Sequence, residues 1–342
     1  MSTYINEEMG IKFNVNEVEA PPFLKDYLNH GLIIWNLTPN TMLTYYLQLR
    51  LFFRWLSMKR QNKPVNKSTF FEEHIDTIPI EWVKAVTEND IYDFLSFSSS
   101  VLNNGVESRS LKIIAIRSLY KYFSETSQMV ESYAPLNIKM PKKGSSLPKY
   151  LSPSECLDLF TSIKGRDKER DVCIIKFFLY CGMRLSELVG INISDIRSDY
   201  ILLRGKGRKE RIVYLNDQCI EAFNQWILVR NLIPGTKNTD ALFISSQTHK
   251  RITRRRVEQI VNNAMLAAGL SFRGYTTHTL RHTAATILYQ SGAADLLALQ
   301  KILGHQKTST TEIYTHLNKE QLRDAMKRDA IRELAKKEYS SE

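Results

Sequence analysis

The apolar positions of this chain recur mostly at helical spacing. Tyr45, Leu49, Phe52, Phe53 and Leu56 follow one another at intervals that suit one helix face, and Thr38-Pro39 ahead of them supplies an N-cap and a first helical residue. A second helix is predicted over about residues 108–123. Its Ile113, Ile116 and Leu119 can face a core, which leaves Arg109, Lys112, Arg117 and Lys121 for solvent or for phosphates. Ser152-Pro153-Ser154-Glu155 reads as a helix start, and a longer helix covers about residues 168–180 before Gly182 ends it. The period then changes. Residues 200–204 and 210–215 read as strands joined by Gly205-Lys206-Gly207-Arg208-Lys209, a hairpin with a glycine-rich tip. Helical periodicity returns from Arg254 onward, so the fold class expected is mostly α with a small β-hairpin.

Residues 133–149 interrupt the helical pattern with three prolines, a Gly-Ser-Ser and four lysines. They read as an extended linker between a helical N-terminal domain, 1–132, and a second domain, 150–342. The length of 342 residues also exceeds one average domain. A basic linker of this kind suits either two lobes that clamp a duplex or an ordinary tether.

Composition adds three points. At 43% hydrophobic and 24% charged the chain is ordinary for a folded protein, and it has no stretch apolar enough to span a membrane. Its four cysteines form no C-x-x-C pair and no signal-like segment follows Met1, so a soluble protein with free thiols in a reducing cytoplasm is expected. The net charge is +11, and it is unevenly placed. Of the 47 Lys and Arg and 36 Asp and Glu, 14 and 15 lie in residues 1–140, leaving 33 and 21 in residues 141–342. The excess suits a solvated surface or, better, a nucleic-acid partner.

The candidate chemistry lies in that basic half. In His278-Thr279-Leu280-Arg281-His282, helical spacing puts His278 and Arg281 on one face with His282 close by, opposite an apolar stripe of Leu280, Ala284, Ile287 and Leu288. A zinc pair at His278 and His282 lacks both the intervening Glu of H-E-x-x-H and a third ligand, so no metal site is expected. Downstream, Gly304 reads as a helix cap and Ser309-x-x-Glu312 as a capping box. His305 then sits at a tight junction, with Tyr314, one of 16 tyrosines, nine residues later. Upstream, Arg184 follows the helix-ending Gly182, with Glu187 as an orienting partner. Lys206 lies between two glycines in a pattern that is not a phosphate-binding P-loop.

Taken in order, Arg184, Lys206, His278, Arg281, His305 and Tyr314 resemble the tyrosine recombinases, the phage-integrase and Xer family, over about residues 35–325. The shared motifs are G-x-R-x-S-E-L, G-K-G-x-K-E-R, H-x-L-R-H and L-G-H-x-x-x-x-T-x-x-Y-T-H. The resemblance implies a two-lobe DNA clamp, with a helical core-binding lobe ahead of a catalytic lobe. It implies Tyr314 as nucleophile, Arg184 and Arg281 on the phosphate, His278 as base, Lys206 as acid and His305 as a phosphate or tyrosine partner. The implied product is a 3′-phosphotyrosine, with no metal, ATP or other cofactor. The partners implied are double-stranded DNA with short inverted sites and further copies of the chain, a dimer per site and a tetramer in the synapse.

Further DNA contacts are expected from the run Lys250 to Arg256, with Arg254, Arg255 and Arg256 leading into a helix whose Val257, Ile260, Val261 and Met265 face inward. Arginines at a helix start oppose its dipole unless phosphates neutralise them. The charged tail, residues 319–342, either docks on a neighbouring protomer, as the resemblance implies, or stays solvated. Type IB topoisomerases use a similar residue set, and a non-catalytic DNA-binding regulator is a third reading that the intact set disfavours. The role within recombination is left open among dimer resolution, integration and inversion.

Overall fold

Several helix starts in this chain are set by short polar caps, Thr38 and Ser152 each followed by proline. The computed structural model describes residues 4–6, 11–126, 135, 137–141, 149–204, 210–236, 239–303 and 319–339. In it the Thr38 hydroxyl accepts the amide of Thr41 at 3.2 Å with Pro39 opening the helix. Ser152 accepts the amide of Glu155 at 3.1 Å while Glu155 accepts the Ser152 amide at 2.8 Å, a closed capping box.

The chain divides into two compact units, Met1–Ser146 and Leu147–Glu342. The first holds an antiparallel ribbon of β1 (Tyr4–Asn6) and β2 (Ile11–Phe13), followed by α1 (Pro22–Ile33), α2 (Pro39–Arg60), α3 (Lys67–Phe70), α4 (Ile80–Lys84), α5 (Glu88–Ser100) and α6 (Val106–Glu125). Its core forms where α2 lies on α6: Leu49, Phe52, Phe53 and Leu56 meet Ile113, Ile116 and Leu119, all buried, while Tyr45 is only half-buried.

The second unit is built around α8 (Lys168–Cys181), which follows α7 (Pro153–Ser162) and precedes the short α9 (Leu185–Gly190). Then come β3 (Tyr200–Arg204) and β4 (Glu210–Tyr214), antiparallel in register from Tyr200 opposite Tyr214 to Arg204 opposite Glu210. They are followed by α10 (Asp217–Leu232), α11 (Arg254–Ala267), α12 (Thr277–Gln290), α13 (Leu296–Leu303), α14 (Lys319–Lys327) and α15 (Ala330–Tyr339). Helix α8 is apolar on most sides because α10, α12 and α7 all pack on it, and Ile174, Ile175, Phe177 and Phe178 are fully buried. The tail is not simply solvated. Helix α15 lies on α7, burying Ala330, Ile331 and Ala335, and the Tyr180 hydroxyl donates to Asp329 at 2.9 Å. All four cysteines are buried free thiols, and no helix among the described residues is long and apolar enough to cross a membrane.

One residue of α6 departs from the expected surface position. Lys112 is 1% exposed. Its ammonium donates to Asn104 Oδ1 at 2.6 Å, Gln48 Oε1 at 3.1 Å and Ser108 Oγ at 3.1 Å, and no carboxylate is among these partners. Three neutral oxygens replace its hydration, so it cannot serve as a phosphate contact. Its helical neighbours at i+4 and i+7, Ile116 and Leu119, mark the same inward face. Arg109 and Arg117 are half-buried and engaged, Arg109 with Ser99 Oγ at 2.9 Å and Arg117 with the Ile138 carbonyl, while Lys121 is exposed beside Glu125.

Burial pushes the Lys112 ammonium down to about 8 from its ordinary 10.5. Between those values the unfolded chain binds more protons than the folded one, so stability rises with pH. Urea unfolding, followed by tryptophan fluorescence, is expected to show the folded protein gaining about 2 kcal/mol from pH 7 to 9.5 relative to a Lys112→Met variant, at 1.36 kcal/mol per pH unit above the folded value. A variant with the same pH slope as the parent would show that the Lys112 proton is not responsible.

Candidate active site

The site is organised by the way α8 ends. Gly182 takes a left-handed conformation (φ +57°) and closes the helix, and a Cβ built there would lie 2.8 Å from Leu303 Cδ2. Glycine meets both demands, the positive φ and the close approach of α13. The turn delivers Arg184 as the residue preceding α9, and its amide donates to Glu187 Oε2 at 2.8 Å.

Glu187 is the centre of the cluster. With 2% of its side chain exposed, it accepts Arg184 NH1 on Oε1 at 2.8 Å and Arg211 NH2 on Oε2 at 2.8 Å, and Arg281 NH1 lies 3.9 Å from the same Oε2. Burial works to raise its carboxyl, but Arg211 and Arg184 outweigh that and hold it below the ordinary value. Three guanidinium charges against one carboxylate leave a formal surplus of +2.

Arg281 and His278 do not project together as their spacing predicts. Arg281 is buried, and its two terminal nitrogens each donate at 2.5 Å to backbone carbonyls, NH1 to Gly182 and NH2 to Leu303. His278 and His282 are exposed on α12. The i, i+3 rule places side chains on one face, but two unfilled carbonyls below α12 draw the arginine inward. Burial, then the like charge of Arg184, pushes Arg281 down to about 10 with Glu187 opposing, so it remains ionised at neutral pH. Arg184 is the open member, with 41% of its side chain exposed.

The structure thus brings Arg184 and Arg281 together on Glu187, with His278 one helical turn from Arg281. Lys206, His305 and Tyr314 lie outside the described residues, as do the expected caps at Gly304 and Ser309. Arg211 is a site residue that sequence reasoning missed, although it closes the G-K-G-x-K-E-R motif. In the basic run, Arg251 turns inward, donating to the carbonyls of Val189 at 2.8 Å and Ile191 at 3.0 Å, and so braces the end of α9. Arg255 and Arg256 are exposed at the start of α11 and Arg254 is half-buried, while Val257, Ile260, Val261 and Met265 are buried as expected.

Residues 149–321 match the phage integrase family. The chain is 39% identical over 314 residues to tyrosine recombinase XerC of Caldanaerobacter subterraneus subsp. tengcongensis, covering 92% of this chain and 88% of that protein. It is 34% identical to tyrosine recombinase XerD of Oceanobacillus iheyensis, covering 76% of this chain and 86% of that protein. Among solved structures it resembles a XerH site-specific recombinase bound to a palindromic difH substrate after cleavage, with TM-score 0.61, 25% identity, and 88% of this chain and 82% of that chain covered. A lambda integrase dimer bound to a COC′ core site shares the fold at TM-score 0.61 and 16% identity, with 86% and 98% of the two chains covered.

Replacing Glu187 with Gln strips the arginines of their counter-charge in a buried setting. Urea unfolding at pH 7 is expected to show a loss of about 3 kcal/mol, the scale for a broken buried pair. The folded carboxyl is depressed, so its contribution is present above the ordinary value of 4.5 and fades as pH falls through the lower folded value. The gap between parent and variant should therefore narrow below about pH 4.5, and a constant gap would assign the loss to shape rather than charge.

Proposed function

The chain belongs to the phage integrase family of tyrosine recombinases, and on that basis we propose that it is a site-specific DNA recombinase that breaks and rejoins strands through Tyr314. The observation that carries this reading is the convergence of Arg184 and Arg281 on the buried carboxylate of Glu187, which leaves positive charge where a phosphate must be held.

A phosphodiester repels nucleophiles by its own charge, and the transition state for its substitution gathers more charge on the equatorial oxygens. Arg184, the exposed member of the cluster, is the arm that reaches those oxygens. Its planar fork can donate to two of them at once. Arg281, held by two carbonyls, supplies charge from the floor. Tyr314 is the nucleophile. A tyrosine phenol ordinarily keeps its proton at neutral pH, so His278 takes it as the Tyr314 Oη–phosphorus bond forms. The bond from phosphorus to the 5′-oxygen breaks in the same step, and Lys206 gives that oxygen its proton. His305 hydrogen-bonds the phosphate or steadies the tyrosine. The 3′-phosphotyrosine conserves the bond, and attack by the 5′-hydroxyl of a second duplex completes the exchange.

The partner is double-stranded DNA carrying short inverted sites. A two-fold site matches two copies of the chain, and exchange between two sites needs four. The palindromic substrate of the XerH relative supports this arrangement. Arg255 and Arg256 grip the backbone beside the site, and Arg254 at the same helix start is proposed to join them. In the N-terminal unit the proposed contacts are Lys121, together with Arg109 and Arg117 where their present partners release them.

A nicked suicide duplex bearing the native site tests the chemistry. The parent protein is expected to form a covalent adduct that survives denaturation, and Tyr314→Phe is expected to form none. An adduct that persists in Tyr314→Phe would remove the tyrosine from its role. Relaxation of plasmids lacking the site, without exchange between two sites, would point to a topoisomerase instead.

A further inference from the structure

Arg211 bonds to two parts of the site at once. It lies on β4 next to Glu210, whose partner across the ribbon is Arg204, and five residues beyond Lys206 in sequence. Its NH2 donates to Glu187 Oε2 at 2.8 Å, and its NH1 donates to the carbonyl of Ile302 in the last turn of α13. One guanidinium thereby joins the strand leading from Lys206, the carboxylate that orients Arg184, and the helix end three residues before His305. The neighbouring carbonyl, Leu303, is taken by Arg281. With 14% of its side chain exposed and both terminal nitrogens committed, Arg211 is poorly placed to bind DNA itself.

We propose that Arg211 is a positioning residue that registers the β3–β4 ribbon against Glu187 and α13, and so sets where the Lys206 ammonium delivers its proton. A two-stranded ribbon is marginal on its own, and Lys206 is joined in sequence to the two strands Arg211 holds in place, so the aim of its flexible side chain depends on their register. Misplacement by about an ångström costs a proton transfer heavily. Arginine is required because two acceptors on different elements must be reached together. The proposal rests on the reading of Lys206 as the general acid.

The test uses two suicide substrates given to the same full-length preparations, one with the ordinary 5′-oxygen at the scissile phosphate and one with a bridging sulfur there. A thiolate leaves without a proton, so loss of the acid harms only the oxygen substrate. At saturating DNA, Arg211→Ala is expected to slow adduct formation on oxygen by roughly a hundredfold or more, and to recover on sulfur to within about tenfold of the parent. Arg211→Lys should behave alike, because one ammonium cannot span both acceptors. The ratio of the two rates does not depend on how much of a preparation is folded. Equal slowing on both substrates, or none, overturns the proposal while Lys206→Ala that recovers on sulfur leaves the Lys206 reading intact. Lys206→Ala that fails to recover overturns both.

Discussion

An ionised carboxylate taken from water into a protein interior loses several kcal/mol of hydration unless charged donors replace it. Glu187 finds those donors in Arg184, three residues before it, and in Arg211 on β4, with the charge of Arg281 on α12 close behind. The guanidiniums of Arg211 and Arg281 are in turn too costly to bury alone. The cluster is therefore satisfied only when α9, the ribbon and α12 are all docked, which couples the folding of the unit to the assembly of its chemistry. The surplus positive charge is built into the folded unit, so under the proposed function it would already be in place when a phosphate binds.

The turn at Gly182 sets the spacing on which that cluster depends. A side chain there would have to displace Leu303, and Leu303 supplies the carbonyl that holds Arg281. The carbonyl of Gly182 holds the other arm of the same guanidinium. Arg281 thus acts as a strut between the end of α8 and the end of α13, and the cost of keeping a charged group buried is met by backbone carbonyls that each helix end would otherwise leave unsatisfied.

Local structure was the legible part of the sequence. Caps such as Thr38 and Ser152 act on amides three residues away, and the apolar stripes of α2, α6 and α11 follow from spacing alone, so both can be read without tertiary knowledge. The family motifs carried Arg184, Arg281 and Glu187 for the same reason, as fixed strings of residues. What could not be read was the destination of long polar side chains. Lys112 and Arg251 look like surface charge, yet their acceptors come from residues up to 64 positions away. Arg281 is drawn inward by a carbonyl 99 residues upstream, and Arg211 by one 91 residues downstream. No periodicity encodes such pairings, because they exist only once distant helix ends meet.

The docking of the C-terminal helices has a consequence for the tyrosine between them. Leu303 is pinned by Arg281, and α14 is pinned from Lys319 onward, lying on β4 with Arg323 2.5 Å from Asp199. Tyr314 stands eleven residues after the first anchor and five before the second. Chain length alone then keeps it within about 18 Å of the start of α14, at no more than ~3.6 Å per residue.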